Sequence, residues 1–277
     1  MGSAMAANLA KAGYRVHGYD IVPARRTALK KAGGKPEASI ARVARAAEVL
    51  ITSLPSASAL HAVAAELDAK GRVVLETSTL PIEEKERARA TLQKKGVVLL
   101  DCPLSGTGAQ ARAKDLVVYA SGDRQAYAKA QAYMPGFSRA HHYLGAFGNG
   151  SKMKFVANLM VAIHNVSAAE AFVLGMKAGL APETIYKVQA ESAGTSRMFQ
   201  VRGPMMVAGR YTEATMKNAL WQKDMKIIGE FAAKLGVPTP LFNASAAIYN
   251  AAIAQGYGKE DTAAVCGVLE ALAKVKR

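Results

Sequence analysis

With 277 residues, 51% of them hydrophobic and 21% charged, the chain has the balance of a globular protein large enough for two domains and a substantial core. Its net charge of +15 is spread along the sequence, and the 6% of aromatic residues do not interleave with the basic ones, which argues for a basic surface that favours small anions and against a nucleic-acid interface. Two distant cysteines, Cys102 and Cys266, make neither a disulfide framework nor a zinc spacing; no stretch reaches the roughly 18 unbroken apolar residues of a membrane span and no signal peptide is evident, so a cytoplasmic protein without metal is expected.

Gly2 opens a helical stretch of small residues, Ser3 to Ala12, which Gly13 closes. Arg15 to Asp20 then reads as a strand and Pro23 to Ala32 as a helix. Val49–Ser53, Val73–Glu76 and Val97–Asp101 read as further strands, separated by helical patterns at Ser56–Ala69 and Pro81–Lys95. Leu116–Ser121 is another strand, followed by a helix over Arg124–Met134. Strands alternating with helices of this length predict βαβ units and a parallel, doubly wound sheet.

After Gly150 the pattern changes. Ser151 to about Lys177 is a long helix rich in Ala, Met and Val. Helical periodicity continues at Pro182–Glu191, Ser196–Ala208, Met216–Leu235, Pro240–Gln255 and Asp261–Lys274, with no convincing strand. The expected organisation is an α/β domain over residues 1–150 followed by an all-helical domain over 151–277.

A dinucleotide-binding unit begins with a strand, continues through G-x-G-x-x-G into a helix, and ends its second strand on an acid that accepts the ribose hydroxyls. Gly2 stands where the third glycine would be, and Asp20 where the acid would be. The preceding strand and the first two glycines are absent from the sequence. Read alone, Gly2 could equally be a tail residue and Asp20 a strand cap. Asp20 favours NAD, while Arg25 and Arg26 leave NADP open.

Three further strings sharpen the reading. They are Asp101-Cys102-Pro103-Leu104-Ser105-Gly106-Thr107-Gly108, then Gly148-Asn149-Gly150-Ser151-Lys152-Met153-Lys154-Phe155-Val156-Ala157-Asn158, then Trp221-Gln222-Lys223-Asp224-Met225. In this order they resemble the β-hydroxyacid dehydrogenase family, which includes 3-hydroxyisobutyrate dehydrogenase, tartronate semialdehyde reductase and the glyoxylate/succinic semialdehyde reductases. The opening Met1-Gly2-Ser3-Ala4-Met5 looks like that family's helix after its phosphate turn. By that comparison the first strand of a Rossmann-type sheet is missing, and about a dozen residues would precede Met1. Thr107 departs from the family, which usually has a second glycine there.

The resemblance implies a nicotinamide-dependent dehydrogenase of a small β-hydroxy acid. Such a reaction needs a group that takes the hydroxyl proton in one direction and returns it in the other. A lysine can do both if its surroundings bring it down from about 10.4 towards neutrality. The family reading assigns Lys154 that role and makes Asn158, one helical turn on, its substrate-binding neighbour. Ser105, Gly106 and Thr107 would bind the substrate carboxylate through backbone N–H groups and hydroxyls. Leu54 and Pro55 would line the adenosine-ribose side, with Thr79 near the nicotinamide. Lys223 would approach the cofactor and Asp224 the substrate; a plain charge pair is the alternative for these two. Lys152, two residues from Lys154, faces elsewhere on the helix. His141-His142 would point to opposite sides of a strand and form no ligand set. An oligomer, dimer or tetramer, is expected from the helical domain. The competing readings are a non-catalytic dehydrogenase-like scaffold and, more weakly, nucleic-acid binding through the positive charge.

Overall fold

The computed structural model describes residues 1–277. The first unit, Met1–Lys154, runs α1 (Gly2–Lys11), β1 (His17–Gly18), α2 (Pro23–Lys31), β2 (Lys35–Pro36), α3 (Ile40–Ala46), β3 (Val49–Thr52), α4 (Ala57–Glu66), β4 (Val73–Glu76), α5 (Ile82–Gln93), β5 (Val98–Asp101), β6 (Leu104–Ser105), α6 (Gly108–Arg112), β7 (Val117–Ala120), α7 (Arg124–Ala130) and β8 (Ala140–Tyr143). Serine and aspartate begin several helices because their side chains accept from otherwise orphaned N–H groups: Ser39 from Arg42, Ser56 from Ala59 and Asp123 from Ala126.

β3, β4 and β5 are parallel, with Val49, Val73 and Val98 in register at one end and Thr52, Glu76 and Asp101 at the other. Alternation along these strands splits the core in two. Val73, Leu75 and Leu100 pack with Met5, Leu9 and Phe137, whereas Leu50, Val74 and Leu99 pack with Leu60, Ala88 and Leu92. Helices therefore cover both faces, as a parallel sheet requires. β1 pairs with β2 in parallel, and β7 with β8 in parallel.

Several details depart from the sequence expectation. The Arg15–Asp20 strand is paired only at His17–Gly18. β6 was not anticipated and runs antiparallel to β7, so the three-stranded sheet of β6, β7 and β8 is not wholly parallel. The helix expected to reach Met134 gives way to a 3-10 turn at Gln131–Gly136 that contains Pro135, which lacks the N–H an α-helix needs. These elements are too short to carry a periodic pattern of their own, and their pairing comes from the packed sheet.

α8 (Asn149–Lys177) carries the chain from the first unit into the second, Phe155–Arg277. It is long and apolar enough, by length and composition, to cross a membrane. It nonetheless buries Phe155, Ala162, Val166 and Phe172, and its buried Asn165 donates to Tyr249 Oη at 3.0 Å and to the Thr262 carbonyl at 2.8 Å. The second unit continues with α9 (Pro182–Gln189), α10 (Arg197–Ala208), α11 (Asn218–Lys234), α12 (Pro240–Ala254) and α13 (Val265–Ala273). Proline at the first position starts α9 and α12, where no N–H is needed. Phe172, Phe199 and Tyr186 stack successively, with ring centroids 5.2 and 5.8 Å apart.

Asp261 organises the polar centre of this unit. Its carboxylate accepts from Arg202 Nε at 3.1 Å, from the N–H groups of Thr215, Met216 and Ala263, and from Thr215 Oγ1 at 2.8 Å. Burial alone raises this carboxyl, but Arg202 and the N–H groups of Ala263 and Met216 outweigh it and hold it below its ordinary value. The stability it contributes is therefore complete above the unfolded value of about 3.9 and is lost as pH falls through the lowered folded value. Asp261→Ala leaves Arg202 buried without a counter-charge and is expected to cost about 3–5 kcal/mol in urea unfolding at neutral pH. The difference from the parent should narrow in acid. An unchanged neutral-pH midpoint would contradict this account.

Candidate active site

The carboxyl ends of β3, β4 and β5 are tied together by side chains. Thr77 Oγ1 donates to the Thr52 carbonyl at 2.6 Å, and Ser78 Oγ accepts from Leu54 N–H at 2.8 Å. The Ser78 N–H in turn donates to Glu76 Oε1 at 3.0 Å. The loops carrying Leu54, Pro55 and Thr79 are thus anchored to one another. Gly2 lies at the same end, since a Cβ on it would sit 3.5 Å from Ser53 Cβ.

Beneath these loops is a buried ion cluster. Lys85 Nζ lies 2.7 Å from Glu76 Oε2 and 2.8 Å from Asp101 Oδ1, and all three side chains are fully buried. Burial alone would lower the Lys85 ammonium, but Asp101 and Glu76 outweigh it and hold it above its ordinary value. The same surroundings push the adjacent Cys102 thiol up, chiefly through burial.

Asp101 also begins α8. Its Oδ2 accepts from Ser151 N–H at 2.7 Å and its Oδ1 from Ser151 Oγ at 2.8 Å. Ser121 Oγ bridges Asp101 Oδ2, at 3.2 Å, to the Gly150 N–H, at 2.9 Å. A carboxylate here faces the positive end of the helix dipole. Residue 150 must be glycine for this approach, because a Cβ would lie 2.3 Å from the Tyr119 carbonyl oxygen and 2.8 Å from that of Asp101.

Lys154 follows Ser151 by three residues and is 8% exposed. Lys152, by contrast, is exposed and donates to Asn149 Oδ1 at 3.1 Å. Burial thus separates the two lysines. Asn158 stands one turn beyond Lys154 on α8 and donates from Nδ2 to Asp224 Oδ2 at 2.8 Å. Lys223 Nζ lies 3.1 Å from Asp224 Oδ1, so Asn158, Lys223 and Asp224 form one cluster in the second unit.

The Ser105–Gly108 segment leaves β5 as expected, with Gly106 at φ +129°, a conformation suited to glycine. Thr107 stands at the N-cap of α6, and its N–H donates to Gln110 Oε1 at 2.9 Å. Ser105 pairs with Val117 of β7, and Gly106 follows it against Leu116.

Beyond β1, Asp20 is exposed and one of its carboxylate oxygens accepts from Val22 N–H at 2.8 Å. Arg26 donates to the Asp20 carbonyl and its guanidinium lies 5.8 Å from the centre of the Tyr19 ring. The start of α1 has no acidic residue in its first turn, and Arg25 and Arg112 lie near it. A helix N-terminus flanked by two arginines suits the paired phosphates of a dinucleotide. His141 and His142 do not act together: His141 Nδ1 meets Tyr127 Oη at 2.8 Å, and His142 is exposed.

Sequence reasoning missed Glu76, Lys85, Ser121 and Ser151. Lys85 lies in a helix crowded with Glu83, Glu84, Glu86 and Arg87, the pattern of a solvated surface. The glycine at position 150 was the available signal, because it marks a close approach of two backbones.

Residues 1–145 match the NAD binding domain of 6-phosphogluconate dehydrogenase, and residues 148–269 match the NAD-binding domain of NADP-dependent 3-hydroxyisobutyrate dehydrogenase. The chain is 32% identical over 272 residues to the L-threonate dehydrogenase of Cupriavidus necator, covering 96% of this chain and 91% of that one. It is 30% identical to the mitochondrial 3-hydroxyisobutyrate dehydrogenase of Mus musculus, over 96% of this chain and 83% of that one. The crystal structure of a 3-hydroxyisobutyrate dehydrogenase from Salmonella typhimurium superposes with a TM-score of 0.87 at 27% identity, covering 96% of this chain and 95% of that one. The two matched domains together with these relatives show that the chain belongs to the β-hydroxyacid dehydrogenase family.

Proposed function

We propose that this NAD(P)-dependent dehydrogenase oxidises the hydroxyl of a small β-hydroxy acid, or reduces the matching semialdehyde, with Lys154 as its catalytic acid/base. The observation that carries the assignment is the burial of Lys154 at the start of α8, on a turn fixed by Asp101, while its neighbour Lys152 points to solvent. A bound nicotinamide supplies the hydride acceptor or donor. In oxidation, neutral Lys154 Nζ takes the proton from the substrate hydroxyl; in reduction, its ammonium returns a proton to the forming hydroxyl oxygen. Ser105 and Gly106 offer the substrate carboxylate a hydroxyl and backbone N–H groups, with Thr107 setting the turn. Asn158 and Asp224 carry the substrate-binding role that the family implies, and Lys223 the cofactor role.

The residues present fit a dinucleotide. Gly2 and the start of α1, with Arg25 and Arg112, would hold the phosphates; Asp20 would hold the ribose hydroxyls; Leu54, Pro55 and Thr79 would line the path to the nicotinamide. The scaffold reading draws no support, since the named relatives are dehydrogenases. The L-threonate and 3-hydroxyisobutyrate dehydrogenases among those relatives favour a small acid with a free carboxylate as substrate. Two buried free thiols suit a reducing compartment, and we place the protein in the cytoplasm. Met153, Val156 and Met160 form an exposed apolar stripe along α8 and support a homodimer or homotetramer. Light scattering should return twice or four times the chain mass of 29.2 kDa; a monomer at micromolar concentration would contradict it.

Lys154→Ala is expected to bind NAD within about threefold of the parent while kcat falls by about 10²–10⁴, the usual scale for a lost acid/base. Lys152→Ala should leave kcat near the parent value. Undiminished turnover in Lys154→Ala would remove the assignment. Asp20 also predicts a cofactor preference, because a carboxylate repels a 2′-phosphate. Calorimetric titration should find NAD bound more tightly than NADP, with Asp20→Ala narrowing that gap by about tenfold, or about 1.4 kcal/mol. A preference that survives Asp20→Ala would locate the discrimination elsewhere.

A further inference from the structure

A continuous polar path runs through the first unit. Leu54 N–H donates to Ser78 Oγ, Ser78 N–H to Glu76 Oε1, and Lys85 Nζ joins Glu76 to Asp101. Asp101 in turn holds the backbone and side chain of Ser151. Every side chain on this path from Ser78 to Ser151 is buried. The cluster holds two carboxylates and one ammonium. Its second negative charge is met by the Ser151 N–H and the dipole of the α8 N-terminus. Asp101 therefore cannot move without breaking an ion pair and two hydrogen bonds in a buried setting, where each loss is costly.

The consequence falls on Lys154. A lysine side chain is long and flexible, and a proton transfer needs its nitrogen within hydrogen-bond reach of one oxygen. Burial of the stem restricts the side chain, but the direction of the Cα–Cβ bond is set by the pitch and rotation of α8. Those are fixed at Gly150 and Ser151, four and three residues before Lys154. Gly150 lies flat against the Tyr119 and Asp101 carbonyls, so the helix can neither rotate nor slide inward at this point. Asp101 is also the residue from which the chain proceeds to Ser105 and Gly106, and Glu76 the one from which it proceeds to Thr79. Those two segments also have ties of their own, Ser105 to Val117 of β7 and Thr77 to Thr52, whereas the start of α8 is held by the Asp101 carboxylate.

Resting on the reading of Lys154 as acid/base, we propose that Asp101, clamped by Lys85 and Glu76, is a positioning residue that holds the first turn of α8, through Ser151, at the rotation Lys154 needs for proton transfer. Asp101 does not meet the substrate. Its contribution passes through the placement of Lys154, and it is absent when Lys154 is absent. A residue that only maintains the fold would instead lower the active fraction equally whatever stood at position 154.

The test is a double-mutant cycle on kcat using Asp101→Asn, Lys154→Ala and the double variant, with the substrate found most active for the parent chain. Asp101→Asn retains shape and leaves Lys85 paired with Glu76 as a neutral couple. With Lys154 present, kcat is expected to fall by about 10–100-fold, the scale of a small misplacement of a reacting group, while KM for NAD stays within about twofold. In the Lys154→Ala background, assayed at high enzyme concentration, the same change is expected to cost less than about threefold. An equal loss in both backgrounds, or no loss with Lys154 present, overturns the inference. Circular dichroism and the thermal midpoint establish that the variants are folded. Should Asp101→Asn fail to fold, Ser151→Ala removes one hydrogen bond of the clamp and enters the same cycle, with an expected loss of about 3–10-fold confined to the Lys154 background. If Lys154→Ala alone keeps full turnover, the acid/base reading fails. If that variant is inactive and Asp101→Asn is not impaired, only the positioning inference fails.

Discussion

The ion pair of Lys85 with Asp101 and Glu76 is the interaction on which the first unit's functional end depends. Three charges held without solvent at the carboxyl ends of two adjacent parallel strands are tolerable only because every charge is met. Lys85 meets two carboxylates, Ser78 satisfies one Glu76 oxygen, and Asp101 turns its remaining capacity to Ser121 and the start of α8. The loops after β3, β4 and β5, and the helix carrying Lys154, are consequently located by one polar assembly. Hydrophobic packing on both faces of the sheet places the strands, while this assembly orients what leaves them.

The second unit uses the same device. Asp261 gathers Arg202 and a set of backbone N–H groups into a single buried centre, and Asn165 and Asn218 bind the carbonyls on either side of it. The long helix α8 belongs to both arrangements: Ser151 is fixed by Asp101, and Asn165 by Tyr249 and Thr262. A helix that would satisfy a membrane criterion by length and composition thereby carries buried polar groups that bond within each unit.

Much of this was legible in the sequence. The parallel strands announced themselves by β-branched runs of the correct length, and helix ends by Ser, Asp, Pro and Gly at capping positions. That Lys154 and Asn158 share one helix, a turn apart, was legible because a Gly-x-Gly entry and a four-residue spacing are local features. The two-residue strands β2 and β6 were not, since pairing with a neighbour, and not their own sequence, makes them strands. Lys85 was hidden among surface-like charges of α5, and Asp101 read only as a strand end. Charge patterns disclose titratable groups but not which of them the fold will bring together; Glu76, Lys85 and Asp101 come from three separate elements. The start of α6 at Thr107 was likewise not announced, since the helix spans only Gly108–Arg112.

The account stands or falls on hydride transfer to and from a small β-hydroxy acid. The direct measurement follows the near-ultraviolet absorbance of reduced nicotinamide while the folded protein meets NAD and a panel that includes 3-hydroxyisobutyrate, L-threonate and L-serine, each beside its carboxyl ester or amide. The account predicts cofactor reduction with at least one free acid and little with the matching neutral derivative. A protein that binds NAD and yet reduces it with none of these acids, or that prefers the neutral derivatives, would contradict it.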